Sequence, residues 1–222
     1  MDTGGAPAGA ALVARVGAAR VLPVMAAGAE YGPALRARIR PLMTGVGPVE
    51  AAVAVTRALA ALDRARALPD LVVSLGSAGS ARLAPTEVYQ ATAVSWRDID
   101  ASALGFPRGE TPFLGLPAVL PMPLRVPGLP GATLSTGADV VSGAGYGAID
   151  ADMVDMETYA VLRACQAFAV PLVALRGISD GDRALAGLGD WTARLGAVDR
   201  NLAQAWGRLC AALETGGLDS LA

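Results

Sequence analysis

The stretch LVALRGISDGD, Leu172 to Asp182, decides how the chain reads. Its apolar run, Leu172 to Leu175, has the length and β-branched character of a buried strand. The chain then presents Arg176, Gly177, Ser179 and two aspartates. A core strand that ends in an arginine and a carboxylate is a place to look for chemistry.

Working outward, the rest of the chain alternates strand and helix patterns. RVLPVMAAG contains a short apolar strand, Val21 to Ala26. AEYGPALRARI holds a short helix, and IRPLMTGVG a second strand ending in glycine. PVEAAVAVTRALAALDRA is helical, with Val49, Val53, Leu59 and Leu62 in register and Pro48 in the first turn. PDLVVSLGSAG, EVYQATAVSW, ATLSTGADVV and ADMVDME read as further strands. METYAVLRACQAFA is a helix, and a long terminal helix runs from Trp191 to Leu213. Strands alternating with helices predict a mostly parallel sheet covered on both faces. There is no linker and no internal repeat. Residues 1–19, rich in Ala and Gly, read as a flexible tail, and 20–222 as one α/β domain.

Composition narrows the chemistry. The 222 residues are 53% hydrophobic with net charge −2, so bulk electrostatics attract neither nucleic acid nor an anionic membrane. All 18 basic residues are arginine. Histidine is absent, which excludes Ser-His-Asp and Cys-His units and histidine-ligated metal. The remaining acid–base groups are carboxylates, tyrosines and two cysteines, and this chemistry calls for no metal and no cofactor. Cys165 and Cys210 sit in apolar helical context and read as reduced and structural. Arg15 and Arg20 interrupt the only apolar stretch near the N-terminus, so no signal peptide is expected. Pro112 to Leu124 is apolar but carries four prolines, a loop and not a membrane span. A cytoplasmic protein is the expectation.

Polar groups gather at the carboxyl ends of four strands: TGVG, GSAGS, DME and RGISD. In an open α/β sheet the ligand crevice lies outside those ends. GSAGS lacks the Gly-Lys-Ser/Thr of a phosphate loop, and no GxGxxG is present.

GVGPVEAA, VVSLGSAG, STGADVV, DMVDMETYAV and VPLVALRGISD occur together in the order and spacing of the nucleoside phosphorylase/nucleosidase superfamily. The sequence most resembles the bacterial 5′-methylthioadenosine/S-adenosylhomocysteine nucleosidases, from about Val21 to the C-terminus. The resemblance implies a single-domain three-layer α/β sandwich with a mixed, mostly parallel central sheet. It implies cleavage of a purine nucleoside's N-glycosidic bond. Asp180 then matches the acid that protonates purine N7, with Ser179 positioning it. Glu157 matches the ribose-binding glutamate, with Met156 against the sugar; Asp155 reads as a surface neighbour. Val141 lies at the end of the matching STGADVV. Ser77 and Arg176 match the groups that hold the attacking water, and Met25 and Val46 the apolar lining of the 5′ side. Leu104 and Phe106 fall in DIDASALGF, which resembles the segment crossing to a neighbouring subunit, so a homodimer with a shared site is implied.

Two departures matter. The family's base glutamate follows a methionine by about three residues, whereas Glu30 follows Met25 at a longer spacing. Two alignments are open: Glu30 as the base, or Gly28 in its place and no base. Phosphorylases of the superfamily carry cations for phosphate. Here the loop after the first strand has none, and Leu75 precedes Gly76. Hydrolysis is the expectation. The alternatives are a phosphorylase using arginines such as Arg97 or Arg108, and a noncatalytic nucleoside-binding relative.

Overall fold

The computed structural model describes residues 12–181 and 183–222. Its elements in chain order are β1 (Ala14–Val16), β2 (Ala19–Met25), α1 (Pro33–Arg36), β3 (Leu42–Met43), α2 (Pro48–Arg64), β4 (Leu71–Gly79), β5 (Val88–Trp96), β6 (Val119–Pro121), β7 (Gly131–Thr136), β8 (Met153–Asp155), α3 (Thr158–Ala167), β9 (Leu172–Asp180), α4 (Leu188–Thr192) and α5 (Leu195–Gly216). Short 3₁₀ turns occur at Ser102–Leu104, Gly143–Ala148 and Gly217–Leu221.

The strands form one nine-stranded mixed sheet. β2 runs parallel to β3 and β4, β4 parallel to β9, and β7 parallel to β5 and β8. Antiparallel pairs join β1 to β2, β4 to β8, and β5 to β6 and β9. The pairings β4–β9–β5–β7–β8 return to β4 and close a ring. Strand side chains alternate between faces, and both faces are covered. Val72 of β4 with Leu172 and Ala174 of β9 packs against Leu59 and Leu62 of α2 and Val161 of α3. Val73 and Leu75 with Val173 and Leu175 pack against Leu35 of α1 and Val198, Leu202 and Leu209 of α5. A helix layer, a sheet and a second helix layer result, the three-layer α/β sandwich that the motifs imply.

Several local expectations are corrected. β9 does not end at Leu175 but continues, buried, to Ser179 and on to Asp180. Arg176 obeys the strand's alternation and lies on the α2/α3 face with Leu172 and Ala174. The terminal helix is not continuous from Trp191: α4 carries Trp191, and α5 begins at Leu195. A short strand, β6, sits inside the proline-rich stretch that reads as loop. Of the tail 1–19, residues 1–11 lie outside the described residues, while Ala14–Val16 pairs with β2 instead of fraying. Both cysteines are free, and burial pushes the Cys165 thiol up to about 12. Among the described residues, no helix is long and apolar enough to cross a membrane.

Candidate active site

The loop between β2 and α1 carries Glu30. Pro33 opens α1, and the buried carboxylate of Asp199 on α5 accepts the N–H groups of Ala34 at 2.8 Å and Leu35 at 3.0 Å. This supplies the cap that α1's own Gly32 lacks and fixes where the loop must end. Upstream, Glu30 N–H donates to Ala27 O at 3.1 Å, a tight turn. The turn absorbs the extra residues and swings the Glu30 carboxylate onto β4. There Oε1 accepts both the N–H and the hydroxyl of Ser77, each at 2.6 Å. Oε2 accepts only a long contact from Ala27 N–H at 3.4 Å among the described bonds. Glu30 is 5% exposed and lines the cleft. A side chain at Gly28 would meet nothing. Of the two open alignments, the structure puts Glu30 in the site.

Arg176 answers the question raised by the strand. It is 2% exposed, and its guanidinium donates to Asp155 Oδ2 through Nε (3.1 Å) and Nη2 (2.9 Å). The other donors go to Ser74 Oγ and O, Leu175 O and Thr158 Oγ1. All five N–H groups of a guanidinium are thus used inside the protein. Arg176 borders the water-sized cavity described below but braces its wall, and the direct water-holding role implied by the resemblance is revised. Asp155 is no surface neighbour. It is buried, accepts from Thr136 Oγ1 at 2.6 Å and caps α3 by accepting Thr158 N–H at 2.9 Å. A buried charge is tolerated when paired and hydrogen-bonded in this way.

That brace aims the adjacent Glu157. Its Oε1 accepts Gly47 N–H from the TGVG turn at 2.9 Å. Burial, then the nearby Asp155 carboxylate, push Glu157 up to about 7, against the pull of Gly47 N–H and Arg176. Between Glu30, Glu157, Arg176, Thr44 and Met25 lies a cavity of about 10 Å³. One water needs roughly that much room.

At the other corner Asp180 ends β9. Its Oδ1 accepts the Ser179 hydroxyl at 2.5 Å, and its Oδ2 accepts the Tyr146 hydroxyl at 3.3 Å. Tyr146 reaches in from the Gly143–Ala148 turn, and its hydroxyl packs where a Gly79 side chain would be, so a larger residue at 79 would displace it. Burial and the Asp180 charge push the Tyr146 phenol above its ordinary range.

Glu30, Ser77, Val46, Val141, Met156, Glu157 and Asp180 all line one cleft of about 650 Å³. Met25 and Arg176 border the small cavity instead, and Ser179 sits buried behind Asp180. Leu104 and Phe106 do not line this chain's cleft; Leu104 is exposed on the segment after β5. Sequence reasoning missed Tyr146, Trp191, Leu188 and Asp139, the partner of Arg97. Arg97 lines the cleft but spends its donors on Ser135 O, Asp155 O, and Asp139 O and Oδ1. Arg108 pairs with Asp100 at 3.9 Å away from the cleft.

Comparison with known proteins identifies the family. Residues 131–214 match the phosphorylase superfamily. The 5′-methylthioadenosine/S-adenosylhomocysteine nucleosidase of Haemophilus influenzae strain PittEE is 31% identical over 159 residues, 63% of this chain and 67% of that protein. The Actinobacillus succinogenes enzyme of the same name is 29% identical over 167 residues, 66% of this chain and 70% of that protein. A mutant Helicobacter pylori nucleosidase with 5′-methylthioadenosine in its active site superposes with a TM-score of 0.73 at 20% identity, covering 87% of this chain and 98% of that one. A futalosine hydrolase mutant from Helicobacter pylori superposes with a TM-score of 0.72 at 19% identity, covering 86% and 98%. With relatives at this identity across two thirds of their length, the chain belongs to the phosphorylase superfamily and, within it, to the 5′-methylthioadenosine/S-adenosylhomocysteine nucleosidase family of enzymes.

Proposed function

We propose that the chain hydrolyses the N-glycosidic bond of a 5′-substituted purine nucleoside, 5′-methylthioadenosine or S-adenosylhomocysteine, to adenine and the thioribose. One observation carries this reading: the Glu30 carboxylate, seated on Ser77, borders a one-water cavity beside the ribose-facing Glu157. As the C1′–N9 bond breaks, its electron pair passes to the purine, and Asp180 gives N7 a proton so that the base leaves neutral. Glu157 accepts from the ribose hydroxyls. Water adds to the oxocarbenium C1′ and Glu30 takes its proton. A phosphate nucleophile would need free cationic donors, whereas Arg176 commits all five N–H groups and Arg97 four of its five to protein oxygens. This favours water over the phosphorylase alternative, and the seated Glu30 favours an enzyme over a noncatalytic binder.

The 5′ side decides the substrate, because one backbone type carries both a methylthioadenosine nucleosidase and a futalosine hydrolase in Helicobacter pylori. Val46, Leu188 and Trp191 give the cleft apolar walls, which suit an alkylthio group better than a hydroxyl. The enzyme acts as a cytoplasmic homodimer in which the segment bearing Leu104 and Phe106 closes its neighbour's cleft. Exposed Leu104, Phe113 and Leu114, with the Phe106–Phe113 rings packed edge to face, support that partner surface. Kinetics on 5′-methylthioadenosine, adenosine and inosine test the substrate. The expected kcat/KM favours the methylthio compound over adenosine by roughly 10–200-fold, the range for one group in an apolar pocket. Adenosine or inosine turned over equally fast would overturn the 5′ reading.

A further inference from the structure

The base has a neighbour that neither the motifs nor the fold explains. Trp191 lies on α4, over the cleft, and its indole Nε1 donates to Ser77 Oγ at 3.1 Å. An indole N–H only donates, so it occupies a lone pair of the serine oxygen and leaves the hydroxyl proton to point elsewhere. That proton goes to Glu30 Oε1 at 2.6 Å, and the Ser77 N–H reaches the same oxygen. Oε1 is thereby filled, and Oε2 retains the capacity to accept a proton.

We propose that Trp191 is a positioning residue for the base: by setting the Ser77 hydroxyl rotor it holds Oε1 and leaves Oε2 to take the proton from water. The short helix that carries Trp191 along the cleft wall is then tied, through two hydrogen bonds, to the readiness of Glu30. This rests on Glu30 being the base.

The test is a double-mutant cycle of Trp191→Phe and Ser77→Ala on the full chain, with 5′-methylthioadenosine and adenosine as substrates. Trp191→Phe keeps an aromatic wall and removes the N–H. The expected result is a kcat lowered about 2- to 12-fold, the worth of one neutral hydrogen bond, by the same factor for both substrates. KM for each substrate stays near the wild-type value, because the lost bond touches the base and not the substrate. In a Ser77→Ala background the substitution has no further effect on kcat. Additive effects, or a loss confined to KM for the methylthio compound, would overturn the proposal and leave Trp191 a wall of the pocket. A wild-type chain that cleaves no nucleoside would sink the functional reading itself, a separate failure.

Discussion

Asp180→Asn is expected to lower kcat for 5′-methylthioadenosine by about 10²–10⁴-fold, the usual worth of a general acid, while a nonhydrolysable nucleoside analogue still binds. The amide has the carboxyl's shape. Its oxygen can still accept from Ser179 Oγ, which lies 2.5 Å from the native Oδ1. The second position keeps a polar group beside Tyr146. What is lost is the proton. Without it the purine must depart as an anion, and that cost falls on the transition state alone, so kcat falls and affinity does not. Paired titration calorimetry and steady-state kinetics separate the two. Turnover within a factor of ten of wild type would show that the acid has been misassigned.

Glu30→Gln carries the second large effect, a loss of about 10²-fold or more in kcat. Glutamine can keep the pair of bonds to Ser77 N–H and hydroxyl through its carbonyl oxygen. Its NH₂ then replaces Oε2, so the group facing the water donates where it should accept. Gly47 still holds Glu157, and Asp180 is untouched, so ribose and purine contacts survive. Single-turnover kinetics with a binding control is the measurement. Equal rates in the two forms would return the base to an unassigned residue.

Much of this site was legible in order but not in wiring. The apolar runs of β4 and β9 identified the core, because a short continuous apolar stretch is a local fact of the chain. The polar strand ends pointed to the crevice for the same reason. What pairs with what was not legible. Asp155 and Arg176 are 21 residues apart, Tyr146 and Asp180 are 34 apart, and Trp191 and Ser77 are 114 apart. Only the closed ring of strands brings them together. Arg176 therefore reads in sequence as a group that holds the attacking water, whereas the strand's alternation buries it against Asp155. Trp191 reads as the start of a long helix because no proline interrupts the chain from there to Leu213. In the fold α5 must present Leu195, Val198 and Leu202 to the sheet, while Trp191 must reach Ser77 from above the cleft. The chain breaks between α4 and α5 to meet both demands. The late arrival of Glu30 was likewise ambiguous until Asp199 was seen to fix the end of its loop.

The central claim is that water, not phosphate, is the nucleophile. The most direct measurement is product analysis of 5′-methylthioadenosine turnover at increasing phosphate. The account predicts adenine and free 5-methylthioribose at a rate that phosphate does not change. A sugar 1-phosphate whose yield rises with added phosphate would contradict it.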